Sequence, residues 1–218
     1  MMIVPDNSPV RIQAAKIIRL GGVIAFRTDT FYGLGADPSN PEAVRKIRNL
    51  KSREDSKPIL VLISDLSELD RFVVIEANEA NKLVEANEAD SAFQKAIRLF
   101  WPGPLTLVTR ARAELPAELT AGTGTIGLRL PADEQVRTLV RACGGALTAT
   151  SANVSGQSPA SSAAAVASYF SEGLDMIIDG GHANSTEPST VVDVTSPQPR
   201  IIRRGVITEA ELAPILSL

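Results

Sequence analysis

The chain has 218 residues, 44% of them apolar and 22% charged, with a formal charge of −3. That length suits one large α/β domain or two small ones and buries a substantial core without staples, while the acidity argues against a dedicated nucleic-acid coat and leaves room for a local basic groove. One cysteine, Cys143, and one histidine, His182, exclude an intramolecular disulfide and a zinc site and fit a reducing cytoplasm.

Met1–Asp6 lacks the basic start of a signal peptide, and no apolar run approaches the length of a membrane span. Ser8-Pro9 reads as an N-cap followed by proline, and Val10, Ile12, Ala14, Ile17, Ile18 and Leu20 supply an apolar face before Gly21-Gly22 stops the helix. Val23–Phe26 is a buried strand, and Thr28–Gly35 is the loop that leaves it. Asn40-Pro41 repeats the cap signal, with Val44, Ile47 and Leu50 facing inward. A strand over Ile59–Ile63 follows, then a mostly helical stretch from 65 to 99. Within it Glu76–Ala80 recurs as Glu85–Ala89, a small duplication suited to a solvated helical face.

Trp101-Pro102-Gly103-Pro104 ends the helix, and strands are expected over Leu105–Thr109 and Ile126–Leu130. Helix 133–142, strand 146–150, helix 160–170 and strand 176–178 follow. Strands at Thr190–Val194 and Ile201–Arg203 and a short helix from about Thr208 close the chain. Helices and strands alternate early, but late strands follow one another directly. The expected fold is therefore α/β, a twisted mixed sheet (parallel and antiparallel) flanked by helices, in one domain over 1–218. Cys143, at a helix end, reads as a buried structural thiol.

Three loops carry candidate chemistry. Lys51-Ser52-Arg53 and Lys57 lie before the strand at Pro58–Ile63, either as a solvated charge run offset by Glu54 and Asp55 or as an anion grip. If the latter, Lys51 and Arg53 are solvent-accessible cations. Thr28-Asp29-Thr30 with Tyr32–Gly35 is either an ordinary turn or a polar ligand loop. Neither the phosphate-loop spacing nor the dinucleotide glycine fingerprint is present. Ser151-Ala152-Asn153 leaves a strand toward a helix N-terminus, a natural place for an anion or nucleotide. With one histidine and no nucleophile elbow, Ser151 reads as a hydrogen-bonding group rather than a nucleophile. Arg129 sits inside a strand, where a solvent-facing arginine at a sheet edge is the competing explanation.

Taken in order, Thr28-Asp29-Thr30 with Tyr32-Gly33-Leu34-Gly35, Lys51-x-Arg53, Trp101–Thr106, Ser151-Ala152-Asn153-x-Ser155-Gly156, Ser189–Asp193 and Arg203-x-Gly205 resemble the YrdC-type threonylcarbamoyl-AMP synthase family. The resemblance runs from about 8 to about 208. It implies a YrdC-like fold and a reaction joining L-threonine, bicarbonate or CO2, and ATP into threonylcarbamoyl-AMP and pyrophosphate. The product then feeds modification of tRNA A37 through separate transfer proteins. By the same resemblance Lys51 and Arg53 are catalytic and, with Lys57, Thr125, Asn153, Ser161 and Arg203, bind ATP. Thr28, Thr30, Tyr32, Arg129, Ser151 and Ser189 would bind threonine. Mg2+ would be held by triphosphate oxygens and water.

Two positions depart from the family pattern: Arg27, where relatives commonly have proline, and Leu62, where some have a histidine that touches threonine. The extra C-terminal domain of longer relatives is expected to be absent. A related enzyme acting on another acceptor, and an RNA-binding module without synthase activity, are the alternatives at this stage.

Overall fold

The computed structural model describes residues 2–52, 58–74, 91–183 and 185–216. It folds them around two mixed sheets rather than one. The first sheet runs β1 (Ile3–Pro5), β9 (Met176–Asp179), β2 (Ile24–Arg27), β3 (Tyr32–Gly35), β8 (Thr150–Ser151). The second runs β11 (Arg200–Arg203), β10 (Thr190–Asp193), β5 (Leu105–Arg110), β6 (Thr125–Arg129), β4 (Val61–Ile63), β7 (Ala146–Thr148). Each sheet contains parallel and antiparallel pairs, as expected where some strands are joined by helices and others by short turns.

Helix α1 (Ser8–Arg19) begins one residue earlier than expected, because Asn7 is the extended residue whose side chain accepts from Val10 N at 3.0 Å. Its buried stripe is Ala14 and Ile18, while Ile12 and Leu20 are 72% and 76% exposed. At 100° per residue Ile12 lies on the far side of the helix from Ala14, so the apolar count there overstated the inward face. Helix α2 (Pro41–Lys51) follows the expected cap: Asn40 accepts from Glu42 N and Ala43 N. It ends at Ser52 in the left-handed conformation, φ 48°.

Two expectations change with physical reasons that matter for the site. Tyr32–Gly35 is not loop but the second strand of a hairpin with β2, its turn held by Thr28 N and Thr28 Oγ1 donating to the Phe31 carbonyl at 3.0 and 2.7 Å. Glycine at 35 lets the Phe26 ring approach, since a Cβ there would lie 2.8 Å from it. The stretch 146–150, expected as one strand, splits at Ala149. Residues Ala146–Thr148 pair with β4, and Thr150–Ser151 pair with β3 in the other sheet.

Thr148 joins the sheets at that crossing. Its hydroxyl accepts from Ala36 N at 2.8 Å and donates to the Leu34 carbonyl at 3.1 Å. Both residues are fully buried, so these backbone groups have no water to turn to.

A 3-10 turn (Leu66–Arg71) and helix α3 (Ala92–Phe100) fall within the stretch expected to be helical. The Glu76–Ala80 and Glu85–Ala89 repeat lies outside the described residues. The remaining helices are α4 (Ala117–Thr120), α5 (Glu134–Ala142), α6 (Ala163–Tyr169) and α7 (Glu209–Leu216). One apolar cluster, with Val44, Ile47, Leu105, Leu107 and Leu128, fills the space around both sheets. A second, with Ala14, Ile18, Phe26, Leu62, Val136 and Leu147, lies under α1 and α5. Leu62 therefore packs into this second core. Among the described residues no helix is long and apolar enough to cross a membrane.

Candidate active site at the seam between the sheets

A cavity of about 560 Å³ opens where the two sheets meet, a size suited to a nucleotide or a comparable small ligand. The hairpin turn and β8 line one side with Thr28, Thr30, Tyr32 and Ser151. Strands β5, β6, β10 and β11 line the other with Thr106, Thr125, Arg129, Asp193 and Arg203, beside Ser189. Eight of the residues proposed from sequence border this space: Thr28, Thr30, Tyr32, Thr125, Arg129, Ser151, Ser189 and Arg203.

Arg129 is 1% exposed, so the edge-strand explanation does not hold. It sits on β6, flanked by β5 and β4, with its guanidinium at the cavity wall. Asp29 Oδ1 lies 3.1 Å from one terminal nitrogen, and the hydroxyls of Thr30 and Thr28 lie 3.4 and 3.5 Å away. Burial pulls the guanidinium below its usual pKa, and the Asp29 charge opposes that pull.

A second cation enters from β11. Arg203 donates through Nε and a terminal nitrogen to the Ser189 carbonyl at 3.2 and 2.9 Å, and to the Ser189 hydroxyl at 3.0 Å. Burial, and then the charge of Arg129, hold its guanidinium below its ordinary pKa. The two guanidiniums share one wall of the cavity, and like charges placed together there suit an anionic ligand. Thr106 Oγ1 lies 3.0 Å from the Ser189 hydroxyl, extending this polar wall along β5.

Lys51 departs from its expected place. It is 2% exposed and does not line the cavity, so it is not a solvent-accessible cation. Its ammonium donates to the carbonyls of Ser151 and Asn153, the latter at 2.7 Å, with Asn153 Oδ1 at 3.4 Å. Ser155 N donates back to the Lys51 carbonyl at 3.1 Å. The reason is local: the chain turns out of β8 at Ser151, and carbonyls facing inward there need donors the short strand cannot supply. Asn153 is likewise engaged in the turn, its amide donating to the carbonyls of Val154 and Gln157 at 3.0 and 2.6 Å. Lys51 thus ties the end of α2 to the turn that presents Ser151.

Tyr32 borders the cavity, but its hydroxyl is committed elsewhere. It donates toward Asp179 Oδ1 (3.2 Å) and the Gly181 carbonyl (2.8 Å) and accepts from Gly180 N (3.2 Å). Burial, and then the Asp179 charge, push the phenol up to about 12. Ser161 is exposed and does not line the cavity; its carbonyl accepts from Ala183 N at 2.8 Å. Arg53 and Lys57 lie outside the described residues, while Pro58 and Leu60, which follow them, reach the cavity wall. Arg27, the departure from the family pattern, pairs with Asp133 at 2.7 Å. That links the residue before Thr28 to the N-cap of α5, just beyond Arg129.

Thr106, Thr123 and Asp193 also border the cavity; Thr106 and Asp193 end two of the quoted motifs, but none of the three is given a role by the sequence. Thr106 carried a signal: it is a polar residue between Leu105 and Leu107, on the strand face opposite theirs, and it is 3% exposed.

The family model described as "Telomere recombination" (Sua5_yciO_yrdC) matches residues 16–205. The chain belongs to the Sua5/YciO/YrdC family. It is similar to the threonylcarbamoyl-AMP synthase of Pyrococcus abyssi, 34% identical over 203 residues, which are 93% of this chain and 56% of that protein. It is also similar to the threonylcarbamoyl-AMP synthase of Idiomarina loihiensis, 35% identical over 172 residues, 79% of this chain and 87% of that one. The structure of P. abyssi Sua5 complexed with L-threonine superposes with a TM-score of 0.84 at 33% identity, covering 99% of this chain and 60% of that chain. The present chain thus spans little more than half the length of the P. abyssi protein, and the fold is that of the family.

Proposed function

We propose that this member of the Sua5/YciO/YrdC family makes threonylcarbamoyl-AMP from L-threonine, bicarbonate or CO2, and ATP, releasing pyrophosphate. The observation that carries the reading is the pairing of Arg129 and Arg203 on one wall of the cavity with Thr28, Thr30 and Ser151 on the other. Cations facing hydroxyls suit a substrate that is both an amino acid and, next to it, a polyphosphate. The similarity to threonylcarbamoyl-AMP synthases and to a threonine-bound relative supports the same assignment.

In this reading Arg129 receives the threonine carboxylate, and Thr28, Thr30, Ser151 and Ser189 surround the amino acid, with Tyr32 at the pocket wall. The threonine ammonium loses a proton to solvent, and the amine attacks CO2, taken up directly or formed from bicarbonate by loss of hydroxide. The N–C bond forms as one C=O π pair moves onto oxygen, and the nitrogen's second proton leaves to solvent, giving the carbamate. A carbamate oxygen then attacks the α-phosphorus; that O–P bond forms as the α–β bridging bond breaks, and pyrophosphate carries the charge away. Arg203, Arg53 and Lys57 stabilise the charge that builds on the phosphoryl oxygens, with Thr125, Asn153 and Ser161 on the nucleotide side. Lys51 acts by holding the Ser151–Asn153 turn in place.

Among the described residues no group of three or more His, Cys, Asp or Glu is placed to hold a metal ion. In this proposal Mg2+ arrives with ATP and is held chiefly by triphosphate oxygens and water. The product goes to separate proteins that transfer the threonylcarbamoyl group to tRNA. The test is mass-spectrometric detection of threonylcarbamoyl-AMP after incubation with 13C-bicarbonate, ATP and threonine: label in the adduct supports the reading, and its absence refutes it.

A further inference from the structure

We infer that Asp29 is a positioning residue that orients the Arg129 guanidinium toward the cavity; this rests on the threonine-site reading of Arg129. Asp29 falls in the middle of the hairpin turn between Thr28 and Thr30. Both threonines line the cavity, and Asp29 does not. Its side chain is 11% exposed and places Oδ1 3.1 Å from Arg129. Among the described residues neither Asp29 oxygen nor Arg129 Nε has a hydrogen-bond partner, so the 3.1 Å approach is a charge contact without good hydrogen-bond geometry.

The other groups touching the guanidinium are weak holds. The Thr30 and Thr28 hydroxyls sit at 3.4 and 3.5 Å, near the limit of a hydrogen bond. Those hydroxyls also lie 3.2 Å from each other, and Thr28 is already committed to the Phe31 carbonyl at 2.7 Å. Arg203, which lines the same cavity, carries a charge of the same sign and so does not hold Arg129. Asp29 is therefore the one carboxylate paired with Arg129 among the described residues. A guanidinium has five N–H groups in a rigid fork, so fixing one edge with an anion aims the opposite edge. Arg129 lines the cavity, where a substrate carboxylate would take the terminal donors whose present partners are weak. One tight turn thus sets the hydroxyl lining with Thr28 and Thr30 and the direction of the arginine with Asp29.

The test compares Asp29→Asn, Arg129→Gln and the double variant by calorimetric titration of L-threonine and, separately, of ATP. Losing the aim of a charged hydrogen bond should weaken threonine binding in Asp29→Asn by about tenfold or more. ATP affinity should stay within about twofold. The double variant should bind threonine no worse than Arg129→Gln, because Asp29 acts through Arg129. Wild-type threonine affinity in Asp29→Asn, or losses that add in the double variant, would overturn the inference. If Asp29→Asn does not fold, Asp29→Glu keeps the charge but displaces it, and the same loss of threonine affinity is expected. Hydrogen exchange of the Arg129 Nε–H, followed by NMR without ligand, separates this from the functional reading. Slow exchange in the wild type that becomes fast in the variant supports positioning even if threonine binds neither protein. Equal exchange rates overturn it.

Discussion

Lys51 and Asn153, 102 positions apart in the chain, are joined by a hydrogen bond of 2.7 Å from the Lys51 ammonium to the Asn153 carbonyl. The same ammonium reaches the Ser151 carbonyl. Two short motifs that look like separate ligand grips in the sequence are therefore one unit, in which the lysine of the first holds the backbone of the second.

The consequence is a stability effect at Lys51. Lys51→Met keeps the stem and removes the ammonium, leaving buried carbonyls without their charged donor. The expected cost is about 2–4 kcal/mol, seen as a lower urea midpoint with an unchanged slope. A variant as stable as the wild type would mean that the ammonium is not structural.

Arg203 should behave differently. Its side chain is partly exposed and donates to Ser189 at the cavity wall. Arg203→Ala should shift the melting temperature by less than about 3 °C. Affinity for ATP should fall about tenfold or more, because a charged donor to the nucleotide is lost. Unchanged ATP binding in a calorimetric titration would remove Arg203 from the nucleotide site.

Tyr32 makes a pH prediction. Its pKa is raised from 10.0 to about 12 in the folded protein, so between those values the native state keeps a proton that the unfolded chain has released. Its contribution to stability is complete below pH 10 and is lost as pH rises through 12. Melting temperature should therefore fall more steeply above pH 10 in the wild type than in Tyr32→Phe. The comparison is needed because Cys143, also pushed up to about 12 by burial, adds a loss of the same sign in both proteins. Parallel pH profiles would contradict the role of the Tyr32–Asp179–Gly181 contacts.

Thr148→Val tests the link between the sheets. The valine has nearly the same shape but leaves Ala36 N without the acceptor it has at 2.8 Å. A loss of about 1–3 kcal/mol is expected by urea unfolding, together with weaker ligand binding if the seam relaxes. No change in stability would mean that backbone pairing alone holds the crossing.

The helices were the most legible part of the fold, because their caps are local. Asn40-Pro41 at α2 and the start of α5 near Asp133 are written in adjacent residues. The strands were legible as apolar runs, but not their assignment to sheets. Nothing in Ala146–Thr150 announces that Thr148 ends in one sheet and Thr150 begins in another. That break is set by the partners Leu60 and Ala36, which are remote in sequence. The Thr28–Gly35 hairpin was hidden for a related reason: its turn is closed by a threonine hydroxyl rather than by a glycine turn signal. At the candidate site, several of the ordered motifs fall along the cavity walls, yet a motif does not say which way a side chain faces. Lys51 turned inward to backbone carbonyls, the Tyr32 hydroxyl turned to Asp179, and Asp29 was passed over because its neighbours carry the visible hydroxyls.

The most direct test of the central claim is pyrophosphate release from ATP, with bicarbonate and magnesium present, measured with and without L-threonine. The account expects release that depends on threonine and is abolished in Arg129→Gln, which removes the proposed carboxylate grip. Release that is equally fast without threonine, or none with it, would contradict the account.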